Sequence, residues 1–336
     1  MKILVTMRLT DRQRSLIHEA SGGAEILDGF SPFEPEKMDP MLPDSDVMVT
    51  FRVPKDLARR APKMKWIHLM SAGVEHALDA GVFDNPGLLL TNSSGIHGTT
   101  IGEYILASML AYAHQIHLPL RAQLRHEWLP NRNFMKTVFD VRGKTVGIVG
   151  YGSIGRETGR LAEAFGMEVL ALKRDPNDHA DPGWCAPNVG DPEGRIPKRW
   201  FGPEHRLELV ALSDFIVVTL PLTPQTRHFL GAREFAATRP GAYVVNVGRG
   251  EVIDQDAMIE ALKSGALGGA GLDVTTPEPL GAESALWDIE NVLLTPHISG
   301  AKQGYNDEAC AVFVENLRRW RSGRTMLNLI DRSLGY

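Results

Sequence analysis

Residues 146–157 read VGIVGYGSIGRE. Val146, Ile148 and Val149 form an apolar run of strand character, and Ile154, Leu161, Ala162 and Phe165 continue beyond the glycines at helical spacing. Strand, glycine turn and helix in that order make the cradle a dinucleotide pyrophosphate needs. Gly150 permits the tight turn, Gly152 lets backbone approach phosphate with no Cβ between them, and Gly155 lets the helix close on the strand. The helix N-terminus adds unpaired N–H groups and partial positive charge.

Outward from this motif the chain alternates between strand-like and helix-like stretches. Before it, strands are predicted at 3–6, 46–50, 66–70 and 88–91, with helices near 11–19 and 54–60. A longer helix is predicted over 99–117, rich in small residues and ended by Pro119. After the motif, strands are predicted at 168–172, 215–220, 243–246, 269–273 and 292–294, and a last helix at 306–320. Such βα repetition argues for parallel sheets covered by helices. The predicted fold is α/β, with two doubly wound domains: a Rossmann-type nucleotide domain, 119–299, inserted into a flavodoxin-like substrate domain formed by 1–118 and 300–336. Residues 174–205 break the rhythm, with six prolines and no apolar period, and read as a long loop. Trp184, Trp200 and Phe201 favour an ordered flap over a solvated one.

Composition narrows the function classes. A length of 336 residues exceeds one ordinary core, in keeping with two domains. A net charge of −5 without a basic run offers nothing to nucleic acid, so a small-molecule partner is expected. The N-terminus is too short in apolar residues for a signal peptide and no stretch suits a membrane span, so a cytoplasmic location is expected. Cys185 and Cys310 are too few for a disulfide framework or a metal cluster.

Three further segments begin near predicted strand ends, where open parallel sheets hold ligands: VVNVGRGEVID (244–254), GAGLDVTTPEPL (269–280) and LLTPHISG (293–300). They bring Arg249, Asp273, Glu278 and His297 toward one crevice. Reduction of a 2-keto acid needs such a set: a cation for the carboxylate, a proton donor for the developing alkoxide, and an acid to orient that donor.

At these residues the chain resembles the D-isomer-specific 2-hydroxyacid dehydrogenase family, which includes glyoxylate, hydroxypyruvate and phosphoglycerate dehydrogenases. The resemblance extends to SAGVEH (71–76), TIGEYILASML (100–110), TLPLTPQT (219–226), LWDIENVLLTPHISG (286–300) and LNLIDRSLGY (327–336). It implies that Arg249 binds the substrate carboxylate, that Glu278 pairs with the general acid His297, and that Asp273 holds the nicotinamide carboxamide. Ser71, Ala72, Gly73 and Val74 would cradle the substrate; Phe51, Arg52, Met70, Trp287 and Tyr305 would shape its pocket. Ser153, Ile154, Leu220, Pro221, Thr226, Val247, Gly248 and Gly300 would line the cofactor. Glutamate rather than glutamine at 278 separates the hydroxyacid branch from formate dehydrogenases.

Where NAD-specific relatives end the second strand in aspartate, this chain has Lys173 and Arg174, followed by Asp175. Two cations suit a 2′-phosphate, so NADP is the expected cofactor, with NAD as the alternative if Asp175 serves the ribose. The resemblance further implies a homodimer, with the helix beginning near Thr100 at its interface. The competing function is a dinucleotide-sensing binding protein of the corepressor type, which shares the fold and the three catalytic residue types.

Overall fold

The computed structural model describes residues 1–31, 33–78 and 80–332; the last four residues of the LNLIDRSLGY motif lie outside that range. Contacts divide the chain into two units. The first comprises Met1–Ile96, Pro182–Ala186 and Lys302–Tyr336, the second His97–Asp181 and Pro187–Ala301.

The first unit is built on five parallel strands: β1 (Lys2–Val5), β2 (Glu25–Leu27), β3 (Val47–Thr50), β4 (Trp66–Leu69) and β5 (Leu89–Thr91). Their order is β2-β1-β3-β4-β5, that of a flavodoxin-like sheet. Strand residues alternate between its faces. Ile3, Val5, Val47 and Val49 join one core with Ile17, Phe313 and Leu317, whereas Leu4 and Met48 join another with Leu57 and Val82. Because helices and loops cover both faces, the inner strands β1, β3 and β4 are buried along nearly their whole length. Helix Asp11–Ser21 starts at a reciprocal Thr10 and Gln13 capping box and stops at Gly22, which takes the left-handed φ of 70°.

The second unit holds seven parallel strands: β6 (Thr145–Val149), β7 (Glu168–Leu172), β8 (Arg199–Phe201), β9 (Phe215–Val218), β10 (Tyr243–Asn246), β11 (Gly269–Leu272) and β12 (Val292–Leu294). The order β12-β11-β10-β9-β6-β7-β8 reverses direction between β6 and β9, as in a Rossmann sheet.

Three sequence expectations change. The predicted helix 99–117 ends at Ala113, before Pro119; Gln115 then takes a φ of 55°, and Pro119 lies in the first turn of a separate helix, His117–Gln123. Gly102 of helix Gly98–Ala113 serves the protein's own packing. A Cβ on Gly102 would sit 3.0 Å from Glu157 Cγ and 3.2 Å from Leu161 Cδ1, both on helix Ser153–Ala164. That packing draws the helix into the second unit, so the division falls at Ile96/His97 and Ala301/Lys302 rather than near 118 and 299.

The segment 174–205 is ordered by three separate anchors. It contributes β8 to the second sheet. Buried Arg156 reaches the carbonyls of Asp191 (2.5 Å) and His179 (2.7 Å) and pairs with Asp181 (3.3 Å). Its residues Pro182–Ala186 belong to the first unit, where the Trp184 N–H donates to Asn328 Oδ1 at 3.0 Å. No helix among the described residues is long and apolar enough to cross a membrane.

Candidate active site

The site is assembled from the C-terminal ends of neighbouring strands in the second unit. β6 runs into Gly150, whose φ of +106° is one that L side chains rarely adopt. A Cβ on Gly155 would run into the Gly150 carbonyl oxygen, so that glycine is demanded by the protein's own packing. Gly152 differs: a Cβ there would meet no protein atom within 4 Å. Internal packing does not account for this glycine, whereas close approach of a pyrophosphate does. Helix Ser153–Ala164 begins at Gly152 without a side-chain cap, and its first internal bond runs from Arg156 N–H to Gly152 O at 2.8 Å. The preceding N–H groups, of Ser153, Ile154 and Gly155, lie at the unsatisfied end of a helix and suit an anion. The residues present therefore fit a dinucleotide.

Across the switch point, β9 leads into the 219–226 turn, which Thr226 closes by donating its hydroxyl to Pro221 O at 2.6 Å. A Cβ on Gly248 would stand 2.6 Å from Leu220 O, so this second glycine lets the β9 and β10 turns approach. Val247 continues the strand pairing through its N–H to Val218 O at 3.1 Å.

β10, β11 and β12 are adjacent in the sheet, and each delivers one functional group at its C-terminal end. Half-buried Arg249 follows β10, donating from Nη1 to its neighbour Gly248 O at 2.9 Å. Asp273 follows β11 and is only 1% exposed. Its Oδ1 accepts from Thr295 Oγ1 (2.6 Å) and the Ile298 N–H (2.8 Å), and its Oδ2 from the Ser299 N–H (2.8 Å). His297 follows β12 with a φ of 54°, unusual for a residue with a Cβ, and its N–H donates to Asp273 O at 2.9 Å. Asp273 thus organises the loop that carries the histidine. The imidazole Nδ1 meets Glu278 Oε1 at 2.6 Å, with both side chains partly solvent-accessible. An acidic oxygen there fixes the ring with Nδ1 as donor and turns Nε2 to other chemistry. Gly300 closes the loop beside His97; a Cβ on it would lie 3.1 Å from the His97 ring.

In the first unit, residues 71–74 follow β4. The Ser71 hydroxyl bonds Gly73 O at 2.8 Å and Asn92 Nδ2 bonds Ala72 O at 2.6 Å, while Val74 is buried. The Tyr305 hydroxyl donates to Met70 O at 2.8 Å, and the Tyr305 ring lies 5.8 Å from that of Phe51. The Arg52 guanidinium stands over the Phe33 ring. In the second unit the Trp287 indole N–H is held by Gly281 O at 2.9 Å.

Comparison with known proteins decides the family. A family model described as D-isomer specific 2-hydroxyacid dehydrogenase, NAD binding domain, matches residues 106–299. The chain belongs to the D-isomer specific 2-hydroxyacid dehydrogenase family. It is 32% identical over 280 residues to glyoxylate/hydroxypyruvate reductase B of Pectobacterium carotovorum, covering 83% of each chain. It is 30% identical over 298 residues to a glyoxylate reductase of Thermococcus gammatolerans, covering 87% of this chain and 84% of that one. A solved NADPH-dependent glyoxylate/hydroxypyruvate reductase of Sinorhizobium meliloti, in complex with NADP and sulfate, superposes with a TM-score of 0.79 at 26% identity, covering 100% of this chain and 99% of that one. Nothing in these matches supports a corepressor.

Two features of this family member were not legible as sequence. Lys173 is engaged within its own loop: Nζ reaches Asp178 Oδ2 at 2.9 Å and Ala180 O at 3.2 Å, and it holds the Asp178 carboxyl below its usual range. Asp175 accepts from the Asn177 N–H at 2.9 Å, closing a local turn. Exposed Arg174 lies between them. Tyr104 is the second. Its hydroxyl meets Thr295 Oγ1 at 2.6 Å, although it belongs to a helix whose sequence shows only an apolar stripe and small residues.

Proposed function

We propose that the protein reduces a small 2-keto acid, of the glyoxylate or hydroxypyruvate type, to the (R)-2-hydroxy acid with NADPH as the preferred cofactor. The observation that carries this reading is the 2.6 Å contact between His297 and Glu278, on a loop tied to Asp273 and one strand away from it.

A reduced nicotinamide, when bound, supplies the hydride. Arg249 offers two parallel N–H donors to the substrate carboxylate, a geometry specific to guanidinium. His297 gives its Nε2 proton to the carbonyl oxygen as negative charge develops there, and in the reverse direction neutral Nε2 takes it back. Glu278 holds the Nδ1 side of the ring throughout. Gly150, Gly152, Gly155 and the N–H groups of Ser153 and Ile154 hold pyrophosphate; Leu220, Pro221, Thr226, Val247, Gly248 and Gly300 line the cofactor. A carboxylate has about four lone-pair sites, and Asp273 spends three on its own loop, which leaves one acceptor position on Oδ2 for the carboxamide.

For the 2′-phosphate, Arg174 is the contacting cation and Lys173 the residue that shapes its loop. NADP in the Sinorhizobium relative supports this preference. The working assembly is a cytoplasmic homodimer. Steady-state rates on a panel of 2-keto acids with both reduced cofactors test the reading: glyoxylate or hydroxypyruvate with NADPH should give the highest kcat/KM, and Arg174→Ala should erode the NADPH preference, in a salt-dependent way. A parent that prefers NADH, or turns over neither substrate, overturns it.

A further inference from the structure

We propose that Tyr104 is a positioning residue for the reaction, anchoring the His297 loop from a different element through Thr295 and Asp273; this rests on the reading of His297 given above. An ionised carboxylate only accepts hydrogen bonds, so the single Thr295 hydroxyl proton is committed to Asp273 Oδ1 at 2.6 Å. The 2.6 Å contact between Tyr104 and Thr295 therefore has one polarity: the phenol donates and Thr295 Oγ1 accepts. Burial raises the Tyr104 pKa above its ordinary value, and the Asp273 charge adds to that, so the phenol keeps its proton.

The chain of donors ends on the atoms that set the loop. Asp273 Oδ1 also accepts the Ile298 N–H, Oδ2 accepts the Ser299 N–H, and the Asp273 carbonyl accepts the His297 N–H. Those bonds hold His297 at its left-handed φ of 54°, a conformation the residue does not favour by itself. Helix Gly98–Ala113, packed against the fingerprint helix through Gly102, is the fixed base from which Tyr104 acts. Loss of the phenol leaves Thr295 with one donor fewer and loosens a carboxylate whose position the loop depends on.

Tyr104→Phe tests this, with Tyr112→Phe as the matched control. Tyr112 lies on the same helix, and its hydroxyl bonds Gly241 O at 3.1 Å, away from Asp273. With the intact enzyme and its best 2-keto acid, Tyr104→Phe should lower kcat about fivefold with KM for the keto acid little changed, since a half-buried hydrogen bond is being removed from an alignment rather than from binding. Amide exchange at Ile298 and Ser299 should quicken in the same variant. Tyr112→Phe should lower the melting temperature by a similar amount and leave both kcat and these two amides as in the parent. Thr295→Val should reproduce the Tyr104→Phe loss, and the double variant should add little to it. Equal behaviour of the two tyrosine variants would reduce Tyr104 to a structural hydroxyl and overturn the proposal. His297→Asn is measured alongside: if it retains the parent rate, the functional reading fails, while the exchange comparison still decides the anchoring role.

Discussion

At the residue scale, chemistry follows from which atoms each side chain has left after its structural bonds are made. Arg249 donates from Nη1 to Gly248 O, and its planar guanidinium is the fork proposed for the substrate carboxylate. Arg249→Lys keeps the charge but not the fork, so kcat/KM should fall at least about tenfold with the melting temperature unchanged, checked by steady-state kinetics on folded protein. His68 illustrates the opposite case. It is fully buried between Thr91 Oγ1 at 2.9 Å and Ser93 Oγ at 3.2 Å, and burial pushes its imidazole down to about 3. The unfolded chain binds a proton near pH 6.5 that the folded chain refuses, so its contribution is intact above that pH and shrinks as pH falls toward 3. Urea unfolding between pH 7 and 4.5 should show the parent losing stability more steeply than His68→Gln, by up to about 1.4 kcal/mol per pH unit.

At the element scale, the segment 174–205 is the clearest departure from a simple βα unit. One of its three anchors is a buried cation. Arg156 sits 2% exposed on the fingerprint helix, bonds two loop carbonyls and pairs with Asp181. Asp191, whose carbonyl it holds, also accepts the Tyr151 hydroxyl at 3.1 Å and the N–H groups of Arg195 and Ile196. Truncating one partner of such a buried network costs about 3–5 kcal/mol. Arg156→Gln should therefore lower the melting temperature and open the loop to trypsin at Arg195 and Lys198, read by timed digestion. Cleavage at the parent rate would mean the loop is held by other contacts.

At the scale of the whole molecule, the second unit carries an apolar surface that its own fold leaves uncovered. Along residues 116–138, Leu124 is 84% and Trp128 97% exposed, with Leu120 and Met135 also well exposed. Scattered exposed apolar residues are ordinary; several on one short arm are characteristic of an interface. The proposed homodimer would cover this arm. Sedimentation velocity should give a dimer for the parent and a monomer for Leu124→Asp with Trp128→Asp. A monomeric parent would remove the dimer from the functional reading.

The sequence by itself determined the family and the fold class. Apolar β-branched runs at 146–149 and 243–246 read as buried strands because both sheet faces are covered, and the glycine pattern after the first has a local cause in φ and close approach. Arg249, Glu278 and His297 stood out as candidates because each sits in a short motif that follows a strand, and the fold brings Glu278 and His297 into contact. Tertiary structure decided what depends on partners distant in sequence. β8 is a strand only because β7 pairs with it, and proline-rich flanks hid it. The early end of the helix at Ala113 came from a left-handed turn at Gln115 that no proline announced. Lys173 turned inward because a carboxylate five residues on, with two backbone carbonyls, met it first. Tyr104 was invisible as a site residue because its role rests on Thr295, 191 positions away. Periodicity and turn chemistry are local and can be read along the chain; a side chain's last hydrogen-bond partner is chosen only when the elements pack.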